Sequence, residues 1–334
     1  MKNIFPFIFG FICLFCACHS KDNSKVKIPE YALVIHGGAG VIERGSLSKQ
    51  LEESYHKSLE EALLVGENIL KAGGSSIDAV EAVIVLLEND SLFNAGKGAV
   101  FTFDGKNELD ASIMEGREMK AGAVASLTNI KNPITAARAV MEKSPHVLLV
   151  REGAEQFARE QKCELVDPSY FYTEKRWSEL QTEKAKNVDS VPQAGDNKKM
   201  GTVGCVALDK FGDIVAGTST GGMTNKRYGR VGDSPIIGAG TYADNNTCGV
   251  SCTGHGEFFI RYSVAKDVAA LMEYKDWSLE KAAKYVVFQK LVAVGGEGGL
   301  VAIDNKGNII MPFNTSGMYR GYCLPGKLET YIYK

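Results

Sequence analysis

Three short clusters of hydroxyl residues and glycine carry the reactive chemistry of this sequence. They are Gly201-Thr202-Val203-Gly204, residues 218–222 and residues 253–256. A hydroxyl serves as a nucleophile or an oxyanion donor once a base or a fixed dipole activates it. Glycines beside it let backbone N–H groups come close to a ligand. A cation and an anion, Arg230 and Asp233, sit among glycines in the same block. Arginine grips a carboxylate with a two-pronged fork, and an aspartate accepts from an ammonium. Together the two suit the α-carboxylate and α-amine of an amino acid, although an ordinary surface ion pair has the same spacing.

Thr202 is the residue to watch. A threonine opening an apolar strand is unremarkable in itself. Here, however, it stands where a polar, lysine-rich stretch meets a buried run. A cut before Thr202 would place its Oγ and a new α-amine on one residue. That amine titrates at about 7.7–8.0, suited to a general base near neutrality. Gly201 leaves the other side of the bond unobstructed, and Thr202 Oγ attacking the Gly201 carbonyl would make the cut self-inflicted. The run Gly217-Thr218-Ser219-Thr220-Gly221 matches the GxSxG elbow, but no helix is expected directly after Ser219. Thr220 is therefore the better hydroxyl, as a partner for Thr202. Thr253 and Gly254 stand where a strand hands over to a helix, the place for an oxyanion hole. Residues 295–299 read as a tight turn, not a dinucleotide loop.

The elements that must position these groups follow from pattern. Strands are expected at 31–36, 99–103, 108–114, 122–127, 147–151, 203–209, 213–220 and 249–253, with a hairpin over 299–304 and 309–313. Helices are expected at 48–72, 77–88, 133–143, 152–161, 257–274 and 278–294. Residues 182–200 have the composition of a flexible linker. It interrupts one domain and does not separate two. Two mainly antiparallel sheets between helical layers would bury these faces, an α+β fold.

The chain has 334 residues, 45% apolar and 23% charged, with a formal net charge of −2. No basic field exists to recruit nucleic acid. Residues 1–17 have the charge and apolar core of a bacterial signal peptide. Ala17-Cys18 followed by a polar run has the form of a lipobox, which predicts cleavage before Cys18, acylation of its thiol and a tether over residues 18–30. The expected location is thus the bacterial cell envelope, exported and lipid-anchored. An ordinary leader with an incidental cysteine is the alternative. Cys163, Cys205, Cys248, Cys252 and Cys323 make neither a disulfide framework nor a zinc site.

Several long motifs, in order, resemble the plant-type L-asparaginase/isoaspartyl peptidase family, a branch of the N-terminal-nucleophile hydrolases. They are HGGAG from His36, SLFNAGKGAVFT from Ser91, ELDASIMEG from Glu108, the block 201–261, GGEGGLVAID and FNTSGMYRG. The resemblance implies a four-layer αββα sandwich cut between Gly201 and Thr202 into an α chain (31–201) and a β chain (202–334), paired as (αβ)2. It implies Thr202 as nucleophile, Thr220 in support and Asn94 in the active-site wall. Thr253 and Gly254 become the oxyanion hole, and Arg230, Asp233 and Gly256 the grip on substrate. No cofactor is implied for catalysis. A structural Na⁺ is implied on the backbone carbonyls of Leu87, Glu88, Asp90, Phe93, Ala95 and Lys97, with Asp90 and Lys97 departing from the family pattern. The substrates implied are β-aspartyl dipeptides and asparagine. The alternatives are a glycosylasparaginase, disfavoured by Gly221-Gly222, and a non-catalytic amino-acid- or peptide-binding lipoprotein.

Overall fold

The computed structural model describes Met1, residues 29–186 and residues 201–334. In chain order the elements are β1 (Ala32–Gly40), α1 (Lys49–Lys71), α2 (Ser76–Asn89), β2 (Leu109–Glu115), β3 (Ala121–Leu127), α3 (Pro133–Lys143), β4 (Leu148–Val150), α4 (Arg151–Glu160) and α5 (Glu174–Lys186). Then come β5 (Val203–Leu208), β6 (Ile214–Thr220), β7 (Thr241–Ala243), β8 (Cys248–Gly254), α6 (Gly256–Tyr262), α7 (Val264–Lys275), α8 (Leu279–Tyr285), β9 (Gly298–Asp304), β10 (Ile309–Ile310), β11 (Gly317–Leu324) and β12 (Lys327–Tyr333). An eight-stranded sheet runs β12-β11-β1-β5-β6-β2-β3-β4, and a four-stranded sheet runs β10-β9-β8-β7. Every pairing is antiparallel except β3 with β4. Helices α1 to α3 cover the outer face of the large sheet, and α7 and α8 that of the small one. The four-layer αββα sandwich is thus present.

Period-two alternation sorts each central strand between two cores. On β5, Val203, Cys205 and Ala207 face the helices, while Val206 and Leu208 face the second sheet. On β1, Leu33 and Ile35 face out and Ala32 and Val34 face in. The polar residues His36, Thr202, Thr218 and Thr220 fall on the same inward face, at one end of the strands. Gly217 lies on the helix side, where a Cβ would stand 2.8 Å from Ile84 Cδ1 and Val80 Cγ1. Its bare backbone lets α2 pack close behind the site. Ser48 and Ser75 cap α1 and α2 through their hydroxyls, accepting from Leu51 N–H and Asp78 N–H at 3.2 Å each, a contribution of about 1 kcal/mol apiece.

Four expectations needed revision. The segment 99–103 is no strand. Its backbone is taken by the loop after β6, with Asn225 N–H donating to the Phe101 carbonyl and Phe103 N–H to that of Lys226. The helix expected over 257–274 breaks at Ser263, which is left-handed at φ 48°. Ala265 and Lys266 donate instead to the carbonyls of Ala239 and Gly238, docking α7 on that loop. The helix expected over 278–294 continues past α8 through a π turn at Val286–Lys290. The linker expected over 182–200 starts later, because α5 persists to Lys186. Arg176 anchors α5 by donating to the Gly98 carbonyl at 2.8 Å, and Thr182 donates to Ser178 O at 2.9 Å. The rest of that linker, the leader and Cys18 lie outside the described residues. The strands β7, β11 and β12 were not anticipated.

Candidate active site

The Gly201–Thr202 peptide is buried and closely held by hydrogen-bonding side chains. Three groups point hydrogen-bonding atoms at the Gly201 carbonyl oxygen: Thr202 Oγ1 at 2.7 Å, Thr220 Oγ1 at 2.9 Å and Asn94 Nδ2 at 2.9 Å. Thr202 Oγ1 is also 3.2 Å from Thr220 Oγ1, which accepts from Gly222 N–H at 3.0 Å. Two hydroxyl protons serve three oxygen–oxygen contacts, and one arrangement primes Thr202 for attack. Thr220 donates to the carbonyl, and Thr202 donates to Thr220. The attacking hydroxyl thus has a proton acceptor, and the carbonyl it would attack keeps two independent donors.

Asn94 is fixed on all sides. Its second Nδ2 proton goes to the Gly222 carbonyl at 2.7 Å, and its Oδ1 accepts from Val100 N–H at 3.0 Å. Gly38, at φ +111°, closes the opposite side of the peptide. A Cβ there would stand 3.1 Å from Gly201 Cα and 3.2 Å from Thr202 N. His36, two residues earlier, donates from Nδ1 to the Thr202 carbonyl at 3.1 Å, because a carbonyl can only accept. Its Nε2 faces Ser251 Oγ, 3.0 Å away, a hydroxyl that also lies 3.0 Å from the Gly217 carbonyl. Thr218, Thr241 and Ser112 extend the chain of hydroxyls at 2.7, 2.6 and 2.8 Å. Complete burial keeps the ring neutral, with its pKa down at about 3 despite the pull of the Thr202 carbonyl. Sequence reasoning gave His36 no role; its place at the inward end of β1 was the available signal.

Thr253 is buried on β8, and its Oγ1 accepts from Ala39 N–H at 3.2 Å. Gly254, next along, shares a cleft of about 810 Å³ with Gly38, Asn94, Gly201, Glu297 and Tyr319. Arg230, Asp233 and Gly256 are brought together as expected. A Cβ on Gly256 would lie 2.7 Å from Arg230 Nη2 and 3.0 Å from Asp233 Oδ1. Asp233 Oδ2 is buried with no hydrogen-bond partner. Burial pushes its carboxyl up to about 7, against the pull of Arg230. The hydrogen bonds of Arg230 go elsewhere, to a residue the sequence did not signal: Glu257.

Ser219 points away from this face and donates to Glu88 Oε1 at 2.6 Å, which rules it out as an elbow nucleophile. Cys163, Cys205, Cys248, Cys252 and Cys323 are all free and buried. The implied sodium loop passes a simple test of fit. A Cβ at Gly98 would be 1.9 Å from the Phe93 carbonyl oxygen, and one at Gly96 would be 2.3 Å from that of Glu88. Only glycine at both positions lets the loop backbone approach the Phe93 and Glu88 carbonyls so closely, and main-chain carbonyls are the hard oxygen donors that an alkali cation takes. Among the described residues no cluster of three or more His, Cys, Asp or Glu is placed to hold a metal.

The family described as Asparaginase matches residues 29–332. This chain belongs to that family. The isoaspartyl peptidase of Salmonella typhimurium is 51% identical over 302 residues, covering 89% of this chain and 96% of its own. A probable isoaspartyl peptidase/L-asparaginase of Arabidopsis thaliana is 44% identical, covering 87% and 95%. The human isoaspartyl peptidase/L-asparaginase is 40% identical, covering 89% and 94%. The chain is accordingly an amide-cleaving hydrolase with a small-molecule substrate. These comparisons also correct the cell-envelope location expected from residues 1–30. The family model matches from residue 29 onward, and the bacterial, plant and human relatives are named only as isoaspartyl peptidases or L-asparaginases. No described helix is long and apolar enough to cross a membrane.

Proposed function

We propose that this chain activates itself by cutting Gly201–Thr202 and then hydrolyses β-aspartyl dipeptides and asparagine through an ester on Thr202. One observation carries the reading: the Gly201 carbonyl oxygen receives Thr220 Oγ1 and Asn94 Nδ2 while the Thr202 hydroxyl lies beside it. In the first step Thr202 Oγ1 adds to the Gly201 carbonyl carbon, and its proton passes to Thr220, which gives up its own in exchange. That proton reaches the amide nitrogen as the C–N bond breaks, leaving the acyl group on Oγ1 as an ester and freeing the Thr202 α-amine. Water hydrolyses the ester, leaving an α chain, 31–201, and a β chain, 202–334, that stay associated.

In the mature enzyme that amine is the general base, since it shares a residue with the nucleophile. Arg230 takes the substrate α-carboxylate. Asp233, whose Oδ2 has no partner, takes the α-ammonium, with Gly256 leaving room for both. Thr202 Oγ1 adds to the side-chain carbonyl, Thr253 Oγ1 and Gly254 N–H stabilise the oxyanion, and ammonia or an amino acid leaves. Water resolves the β-aspartyl ester. Na⁺ on the carbonyls of Leu87, Glu88, Asp90, Phe93, Ala95 and Lys97 would fix the loop that carries Asn94. Two αβ units associate as (αβ)2.

The test is intact mass after incubation at neutral pH, with Thr202→Ala alongside. Two fragments with a new amino terminus at Thr202, absent in the variant, are expected. Side-by-side assays on β-aspartyl-leucine, asparagine and glycosylasparagine then fix the substrate. A single stable mass and no hydrolysis would overturn the proposal.

A further inference from the structure

Arg230 is not free to turn toward a substrate. Its Nε donates to Glu257 Oε1 at 2.9 Å and its Nη2 to Glu257 Oε2 at 3.0 Å, a two-pronged pair along one edge of the guanidinium. The other edge, Nη1 with Nη2, looks onto bare backbone. A Cβ at Gly232 would be 2.8 Å from Nη1, and one at Gly256 would be 2.7 Å from Nη2. The guanidinium therefore presents one edge to Glu257 and lies with the other against the bare backbone of Gly232 and Gly256, beside Asp233.

We infer that Glu257 is a positioning residue, which holds the guanidinium of Arg230 so that its Nη1–Nη2 edge meets the substrate α-carboxylate beside Asp233. The inference rests on the proposed role of Arg230. Exposure decides between this and a plain stabilising ion pair. The Glu257 side chain is 48% exposed while that of Arg230 is 17% exposed. A pair so open to water contributes little to folding. Its geometry, however, is the bidentate one that fixes the guanidinium plane. Burial works against ionisation of Glu257, but the hydrogen bonds and charge of Arg230 outweigh it and hold the carboxyl below its ordinary range. The pair therefore stays charged at neutral pH. Fixing a long side chain before the ligand arrives removes an ordering cost from binding. Glu257 touches no reacting atom, so its loss appears in substrate affinity and not in the chemical step.

The test is kinetic, on the self-cleaved enzyme. Glu257→Gln keeps size but replaces one acceptor oxygen with a donor that faces Nη2. It should raise KM for asparagine and for β-aspartyl-leucine by about tenfold, leaving kcat within about twofold. Inhibition by L-aspartate should weaken by a similar factor. Inhibition by β-alanine, which has no α-carboxylate, should be unchanged. The rate of cleavage at Gly201–Thr202 and the melting temperature should stay at wild-type values, and Glu257→Ala should behave as Glu257→Gln does. An unchanged KM, a KM that falls because Glu257 had been competing with substrate, or equal weakening of both inhibitors would each overturn the inference. Arg230→Lys separates the two levels. If it leaves KM unchanged, the role assigned to Arg230 fails. If it raises KM while Glu257→Gln does not, only the role of Glu257 fails.

Discussion

Replacing Asn94 with alanine should slow self-cleavage without abolishing it. Asn94 supplies one of the two donors to the Gly201 carbonyl, at 2.9 Å, and Thr220 supplies the other. Negative charge develops on that oxygen as Thr202 attacks, in a buried space where a fixed donor is worth far more than in water. Removing one donor from such a pair costs about 2.7–4 kcal/mol, or about 10²–10³ in rate. Thr220→Val should cost more, because Thr220 is both the second donor and the acceptor of the Thr202 proton. Losing base assistance as well adds a factor of roughly 10²–10⁴. The assay is intact mass against time at neutral pH, with the melting temperature of each uncleaved variant measured in parallel. Asn94→Ala also strands the Gly222 carbonyl and Val100 N–H, at about 1–3 kcal/mol each in stability, so a folded but slow precursor is the informative result. Cleavage of Asn94→Ala within about twofold of wild type would mean that the hydrogen bond to Gly201 stabilises the ground state and the transition state equally. The proposed mechanism would then lose its carrying observation.

Gly204→Ala would put a methyl 2.0 Å from Ser251 Oγ and 2.2 Å from His36 Nε2. Overpacking plus a broken buried hydrogen bond should cost about 2–5 kcal/mol, read as a large fall in melting temperature and a weakened hold on the Thr202 carbonyl. His36 has a folded pKa of about 3, below its unfolded value. The unfolded chain therefore binds the extra proton, and stability should fall as pH drops from about 6.5 toward 3, by up to about 1.4 kcal/mol per pH unit; His36→Gln should flatten that slope in urea titrations. Glu88 is opposite in sign. Burial raises its carboxyl to about 8, against the hydrogen bonds of Ser219, Asn132 and Ile134, so its contribution is present at low pH and lost as pH rises from about 4.5 to 8. Glu88→Gln should flatten that limb. Because all five described cysteines are free and buried, dithiothreitol should leave the melting temperature unchanged.

Most of the scaffold was legible because it rests on local signals. Serine caps, Pro133 at a helix start and alternation along β5 and β6 each declare themselves within a few residues. Elements set by distant partners did not declare themselves. The segment 99–103 has strand composition, but the loop after β6 takes its N–H and C=O groups first. The break at Ser263 comes from Gly238 and Ala239, which receive the N–H groups a continuous helix would have used internally. The site divides in the same way. Thr202, Thr220 and Thr253 stood out as hydroxyls beside glycines, and strand pairing brings the first two together: β5 and β6 pair Val203 with Ser219 and Gly204 with Thr218, a register that sets Thr202 against Thr220. Glu257 carried no such mark, since a glutamate in the first turn of a helix is ordinary. Only the fork it makes with Arg230 distinguishes it, and that fork also revises the reading of Arg230 and Asp233. Asp233 is left with an unpartnered buried oxygen and a carboxyl raised to about 7. That is the state of an anion whose cation has yet to arrive, and a substrate ammonium would complete the set.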